Sequence, residues 1–254
     1  MKTEFIFRRK ERKYLVNPVL AEDLQKEMAK YLKPELYKNQ NTVTCIRSYY
    51  FDSPWFQCYY DHLARKPERF KIRVRLYGYN GHFPKKGFLE LKEKQGEETH
   101  KRRFKVTQSL GQRFMRGEDV FADILRYNSQ IELSQLLRTY RTIVNRISQY
   151  QLEPLLLVEY RRECFLDKKL GIRITFDRDL IFRAFQNSSI TPVRHCFFYP
   201  QNRVIMEVKT TDTRPPWLKN LLDRYGLRRQ RFSKYCMAVE SLYLSPKFMT
   251  NMSS

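Results

Sequence analysis

Strand-type alternation recurs along this chain, with charge concentrated on one side of it. In Phe70-Lys71-Ile72-Arg73-Val74-Arg75-Leu76-Tyr77, successive side chains of a strand point to opposite faces, so Lys71, Arg73 and Arg75 share one face and Ile72, Val74 and Leu76 the other. The same arrangement returns at Glu11 and Lys13, at Glu90, Lys92 and Lys94, and at Lys101, Arg103 and Lys105. It returns again at Tyr160 and Arg162, at Arg173 within Gly171-Ile172-Arg173-Ile174-Thr175-Phe176, and at Glu207 and Lys209. One basic strand is an ordinary solvated sheet face. Seven of them, each apolar on its other side, predict a shared surface crowded with cations whose mutual repulsion a polyanion would relieve.

The pattern predicts strands over Phe5 to Val16, Thr42 to Asp52, Arg69 to Gly78, Gly87 to Lys94 and Lys101 to Thr107, the last two joined at Gln95-Gly96-Glu97-Glu98 as a hairpin. Further strands follow over Pro154 to Leu166, Gly171 to Ile181, Arg194 to Tyr199 and Arg203 to Thr211, and Tyr79-Asn80-Gly81 reads as a turn. Asn17-Pro18 places an N-cap before a proline at the first helical position, and Leu20, Leu24, Met28, Tyr31 and Leu32 carry a helical period, so a helix is expected from about Pro18 to Leu32. Residues 109 to 150 change character: Leu133, Leu136, Leu137, Tyr140, Ile143, Val144 and Ile147 trace one stripe, the mark of a helical insertion. Pro215-Pro216 opens another helix that Gly226 stops, and a last one runs from near Ser233 to about Leu244. About eight strands with charged faces and flanking helices predict an α+β fold built on an eight-stranded antiparallel β tunnel, a closed barrel with a charged lumen. The whole chain, 1–254, reads as a single domain, with C-terminal helices over about 216–245.

Composition sharpens this. Against 27 Asp+Glu the chain carries 49 Lys+Arg, a formal charge of +22, while 42% hydrophobic residues suffice for a real core, so this is a folded cationic domain and not a disordered basic tail. The five cysteines form no C-x-x-C pair and the four histidines have no zinc spacing, which argues for reduced thiols and against structural zinc. No signal peptide and no apolar run of ~20 residues is visible, so a soluble cytoplasmic protein is expected. Basic patches with interleaved aromatics bind single strands, but these cations lie on strands with no aromatic platform and no helix-turn-helix pattern; no nucleic acid is expected.

The run Glu11-Arg12-Lys13-Tyr14-Leu15-Val16, the Arg-x-Arg at 73 and 75, Glu90-Leu91-Lys92, Lys101-Arg102-Arg103-Phe104, Tyr160-x-Arg162, Ile172-Arg173-Ile174, Met206-Glu207-Val208-Lys209 and Arg231-Phe232-Ser233-Lys234 occur in this order. Each alone is common. As an ordered set over nearly the whole chain they resemble the VTC-type polyphosphate polymerase domain, a branch of the triphosphate tunnel metalloenzymes. The resemblance implies growth of inorganic polyphosphate from the terminal phosphate of ATP, with Mn²⁺ or Mg²⁺ as cofactor. It implies phosphate contacts from Lys13, Arg73, Arg75, Lys92, Lys101, Tyr160, Arg162, Arg173, Lys209, Arg231, Ser233 and Lys234. Of these, Lys234, Arg73 and Arg75 would be catalytic, and Glu207 would hold the metal. Membrane-spanning parts accompany the domain in eukaryotic relatives, so a membrane link here would need a separate partner.

The residue chemistry agrees. Transfer between two polyanions needs positioned cations and a divalent ion, and an already ionised phosphate oxygen needs no strong base. Ser233-Lys234 at a helix start would add free N–H groups. Where tunnel triphosphatases and cyclases carry Glu-x-Glu-x-Lys on the first strand, this chain has Arg9-Lys10-Glu11-Arg12-Lys13, so one carboxylate is replaced by Arg9. That substitution favours polymerase over triphosphatase and puts two-metal chemistry in doubt. Hydrolysis of tripolyphosphate or a nucleoside triphosphate, and a non-catalytic polyphosphate or nucleic-acid binding module, remain the alternatives. Lys71 and Lys94 are equally well read as solvated, Glu11 as a neutraliser of Lys13, and Glu90 as a balance for Lys92.

Overall fold

The structure, a computed structural model, describes residues 10–37, 40–79, 86–96, 98–185, 192–198, 202–211 and 214–244. Phe5 to Arg9 and the Asn80-Gly81 part of the expected turn lie outside them. The chain divides into two compact units, one of residues 1–44, 160–180 and 199–232 and one of 45–159, 181–198 and 233–254.

In the first unit, β1 (Lys10–Val16) pairs antiparallel with β10 (Val204–Thr210), which pairs antiparallel with β8 (Ile172–Phe185). A short β2 (Lys33–Pro34) pairs with the end of β7 (Glu153–Asp167). Helix α1 (Pro18–Ala29) starts as the sequence predicts: Asn17 Oδ1 accepts the Leu20 amide at 2.8 Å and Pro18 fills the first turn. It ends three residues earlier than expected because its last turn tightens, with the Tyr31 amide bonding to the Met28 carbonyl. Ala21, Leu24 and Met28 of α1 join Leu218, Leu221 and Leu222 of α6 (Pro216–Arg224) over the apolar face of the strands, formed by Tyr14, Ile174, Phe176, Met206 and Val208. Tyr31 stacks on Trp217 with ring centroids 4.4 Å apart.

In the second unit β3 (Val43–Asp52), β4 (Arg69–Gly78), β5 (Lys86–Gln95) and β6 (Glu98–Thr107) form an antiparallel meander, and β9 (Pro192–Phe198) pairs with the end of β8. The helical insertion resolves into α3 (Gln108–Met115), α4 (Phe121–Tyr127) and α5 (Leu133–Gln149). Their apolar residues Leu110, Phe114, Ile124, Leu136, Tyr140 and Ile143 bury Ile72, Val74, Leu89, Leu91 and Phe104. Helix α2 (Gln57–Leu63) has no counterpart in the pattern, since seven residues carry no legible stripe. Its cap comes from outside the local sequence code: Asp52 accepts the amides of Cys58 at 2.7 Å and Tyr59 at 3.1 Å. The last helix has the expected extent: a six-residue α7 (Lys234–Val239) with Ser233 as its N-cap is continued by a π-helical turn over Glu240–Leu244.

The fold is α+β with an antiparallel sheet and flanking helices, but the closed barrel expected from the sequence is not formed. Among the described residues the strand path ends at β1 and β6. Each end is occupied by something other than a strand. On β1, the Gln230 amide bonds to the Lys13 carbonyl at 2.8 Å. On β6, the fully buried Asn128 mimics a neighbouring strand, its Oδ1 accepting the Lys105 amide at 2.8 Å and its Nδ2 donating to the Lys105 carbonyl at 2.9 Å. Such covers, with charge along the edge, are how sheets avoid further pairing.

Candidate functional site

The charged face of the second unit is set by strand register. Tyr50, Arg73, Glu90 and Arg103 form one cross-strand row; Lys71, Lys92 and Lys101 form the next. Ser48, Arg75, Phe88 and Lys105 form a third. Glu90, 1% exposed, is the centre. Arg73 Nε donates to its Oε2 at 2.7 Å, Lys101 Nζ lies 2.5 Å from its Oε1, and Arg103 Nη1 lies 3.9 Å from the same oxygen. Burial would raise the Glu90 carboxyl, but Arg73, Arg75 and Lys101 outweigh it and hold the group well below the usual carboxylate range. Glu90 thus gathers Arg73, Lys101 and Arg103, cations that would otherwise splay apart.

The two arginines are held on further sides. Arg73 Nη1 donates to the Tyr50 hydroxyl at 2.9 Å, and Arg75 Nε donates to Ser48 Oγ at 3.0 Å. Arg103 lies over the Phe88 ring, 4.2 Å from its centroid. Gly87 permits the close approach of β5 to β4, because a Cβ there would sit 2.4 Å from the Arg75 carbonyl oxygen. Burial opposes ionisation of Tyr50, yet the charges of Arg73, Arg75 and Lys71 bring its phenol down to about 8. Lys101 is brought down to about 8 as well, by burial first and by Arg73 and Arg75, with Glu90 pulling the other way. Lys92 is exposed between Lys71 and Lys101.

Lys234 is buried at the start of α7, and Ser233 is the N-cap, its Oγ accepting the Cys236 amide at 3.5 Å. Lys71 Nζ donates to Ser233 Oγ at 3.0 Å and lies 4.9 Å from the Tyr235 ring centroid. Lys71 is therefore not simply solvated.

The first unit carries its own charged face. Lys13, Glu207 and Thr175 form one row, and Glu11, Lys209 and Arg173 the next. Lys13 Nζ donates to the Phe232 carbonyl at 3.0 Å and lies 3.4 Å from Glu11 and 3.8 Å from Glu207. Glu11 does neutralise Lys13, and it also lies 3.3 Å from Lys209. Arg162 binds Asp177 through two hydrogen bonds of 2.6 and 2.7 Å, lies 3.8 Å from Glu207 and covers the Tyr160 ring at 5.3 Å. Arg162 is raised well above its ordinary value, since Asp177 and Tyr160 outweigh the burial that acts against its charge. Arg173 pairs with Glu35 at 2.7 Å, and Arg231 is exposed.

Among the described residues no group of three or more His, Cys, Asp or Glu side chains could hold a metal by itself. The residues do fit a Mg²⁺ or Mn²⁺ ion that takes most of its oxygens from phosphate and water. Glu207 offers one carboxylate, with Lys13 and Arg162 each at 3.8 Å from it. Thr175, its register partner, has a buried Oγ1 with no hydrogen-bond partner. Four residues of these faces escape sequence reasoning: Tyr50, Asp177, Thr175 and, as a positioned group, Lys71. The signal for three of them is present in the chain, because Ser48 and Tyr50, and Arg173, Thr175 and Asp177, continue the same period of two.

The sequence profile of the VTC domain matches residues 8–243. No curated protein matches the chain. Among solved structures, the PH1819 protein of Pyrococcus horikoshii OT3 is 13% identical, with 91% of this chain and 99% of that chain covered and a TM-score of 0.47. A candidate adenylate cyclase of Bacillus halodurans is 11% identical, with 89% and 95% covered and a TM-score of 0.46.

Proposed function

This chain belongs to the VTC-domain family, a branch of the triphosphate tunnel metalloenzyme fold whose members act on phosphates, and from that premise we propose that it is a metal-dependent ATP:polyphosphate phosphotransferase. The observation that carries the reading is the cation face of the second unit, where Lys71, Arg73, Arg75, Lys92, Lys101, Arg103 and Lys105 share three adjacent cross-strand rows with one buried carboxylate, Glu90. A face with one acid to seven bases suits a ligand with a charge on every monomer.

On this reading residues 1–254 work as one catalytic domain, with ATP and inorganic polyphosphate as substrates, in the cytoplasm where ATP is at hand. Arg73 and Arg75 take phosphate oxygens with forked donors already fixed by Glu90, Tyr50 and Ser48, so little side-chain freedom is lost on binding. Lys92 and Lys101 extend the row as point charges. Lys234, with Ser233, meets the phosphoryl group in transfer. In the first unit Lys13, Arg162, Arg173 and Lys209 take phosphates, Tyr160 supports Arg162, and Arg231 lies at the approach. A divalent ion bound at Glu207 would offset phosphate charge and polarise the P–O bonds. The attacking phosphate oxygen is already ionised, so no side chain has to remove its proton.

Among the described residues no helix is long and apolar enough to cross a membrane. The test is incubation of the purified chain with ATP and Mn²⁺ followed by gel electrophoresis. Long chains plus ADP support the proposal. Free phosphate without chains would replace it with triphosphatase activity, and polyphosphate binding without turnover would leave a binding module.

A further inference from the structure

Ser233 has a hydroxyl whose direction is dictated by its neighbours. A hydroxyl has two acceptor lone pairs and one proton to donate. Both acceptor positions are engaged: Lys71 Nζ donates to Oγ at 3.0 Å, and the Cys236 amide donates at 3.5 Å. Neither donor can take a hydrogen bond back, because an ammonium and a backbone N–H carry no lone pair. The Ser233 proton must therefore turn toward a third group, and that group must be an acceptor.

Lys71 is itself steadied by the first turn of α7. Its Nζ lies 4.9 Å from the Tyr235 ring centroid and 3.7 Å from Cys236 Sγ. The Tyr235 hydroxyl in turn donates to the buried Asp52. The ammonium is held by a ring face, a sulfur and a hydroxyl within one strand-to-helix contact of the second unit.

We propose that Lys71 is a positioning residue that makes Ser233 a dedicated hydrogen-bond donor to a phosphate oxygen of the bound polyanion. An ordinary N-cap serine accepts one amide and turns its proton to whatever is near. Here the second, charged donor removes that freedom, and the site selects for ligands that offer acceptors only, as phosphate oxygens do. This deepens the proposed function and rests on it for the identity of the ligand. The Lys71–Ser233 coupling can nevertheless be tested without turnover.

The experiment is a mutant cycle on tripolyphosphate binding, measured by calorimetry at fixed salt, in Lys71, Lys71→Met and Lys71→Gln backgrounds. With Lys71 present, Ser233→Ala should weaken binding about tenfold, the scale of a hydrogen bond to a charged group. With Lys71→Met, Ser233→Ala should cost less than about twofold, because the undirected hydroxyl no longer helps. Lys71→Gln presents an Oε1 acceptor as well as an Nε2 donor to Ser233, so the hydroxyl is only partly directed and Ser233→Ala should cost an intermediate amount there, about threefold. If Ser233→Ala costs the same about tenfold in all three backgrounds, Lys71 acts through charge alone and the inference is overturned. If Lys71→Met fails to fold, the Lys71→Gln arm against Lys71→Ala carries the comparison. Absence of chain growth by the unmodified protein would sink the polymerase reading and leave the coupling result standing.

Discussion

The Tyr235 hydroxyl donates to Asp52 Oδ2, joining the end of β3 to the first turn of α7. The same carboxylate accepts the amides of Ser53, Cys58 and Tyr59, so one buried side chain caps α2 and anchors the helix that carries Lys234. Loss of it removes a helix cap and orphans a buried phenol. Asp52→Ala should cost about 2–4 kcal/mol of stability in urea denaturation, and Tyr235→Phe about 1–2. Burial pushes the Asp52 carboxyl up despite its hydrogen bonds. A raised carboxyl favours the folded state in its neutral form, so this group's contribution falls as pH rises from the ordinary Asp value toward its folded one. Equal slopes of stability against pH for the unmodified protein and Asp52→Asn in that window would contradict this.

Gly87 sets the distance between β5 and the Arg75 backbone. The Cβ of Gly87→Ala would meet the Arg75 carbonyl oxygen at 2.4 Å, a contact that only backbone movement can relieve. Overpacking of this kind costs about 1–3 kcal/mol. Polyphosphate affinity should fall with it, since Arg75 shifts away from Ser48. An unchanged melting temperature and unchanged affinity would show that the strands yield there without consequence.

Strands are legible in this chain because their two faces differ so sharply, and the period of two alone places Arg73, Arg75, Lys101 and Glu207 on charged faces. The same pattern misleads about closure. Seven charged faces suggest a barrel closed on itself, whereas Asn128 and Gln230 cover the terminal edges. Nothing local marks an asparagine after α4 as a mimic of a strand. Helix α2 is illegible for a related reason: its cap, Asp52, lies five positions ahead of Gln57, in a strand. Pairing partners are equally hidden. That Glu90 gathers Arg73 and Lys101, and that Asp177 engages Arg162, depends on register between strands that no local pattern specifies.

Two groups on the second unit's face titrate together. Lys101 and Tyr50 both sit at about 8, so between about pH 7 and 9 one loses a positive charge and the other gains a negative one. Polyphosphate affinity should fall steeply across that interval. Stability of the free protein should move the opposite way. A lysine whose folded value is lowered and a phenol whose folded value is lowered both favour folding more as pH rises from about 8 toward their ordinary values. Tyr50→Phe should flatten part of each curve. Parallel pH curves for Tyr50→Phe and the unmodified protein, in calorimetric binding and in melting, would show that the phenol stays neutral.

Glu207 tests the metal independently of the cations. Glu207→Gln keeps the shape of a side chain that is 10% exposed and removes one ligand charge beside Lys13 and Arg162. Mn²⁺-dependent turnover should be lost, while polyphosphate binding without metal should hold or tighten as negative charge leaves the face. The added melting shift that Mn²⁺ gives in the presence of polyphosphate should vanish. Retention of that shift would move the metal to other residues.

Lys234 separates binding from chemistry. It is 8% exposed at the start of α7, next to Ser233, in a position fixed by the anchoring of Tyr235 to Asp52. A charge so placed gains value as negative charge builds on the transferring oxygens, and an interaction made mainly in the transition state lowers the rate when removed while leaving ground-state binding largely alone. Lys234→Ala should cut chain growth by about 10²-fold or more, the scale for loss of one preorganised electrostatic donor. Apparent ATP affinity should change far less, because Arg73 and Arg75 remain held by Glu90, Tyr50 and Ser48. Lys234→Arg should rescue only in part, since a planar fork does not sit where a compact ammonium did. Steady-state kinetics of the two variants decide it. Normal turnover with much weaker ATP binding in Lys234→Ala would assign this lysine to substrate capture, and the division of labour between Lys234 and the two arginines would have to be reversed.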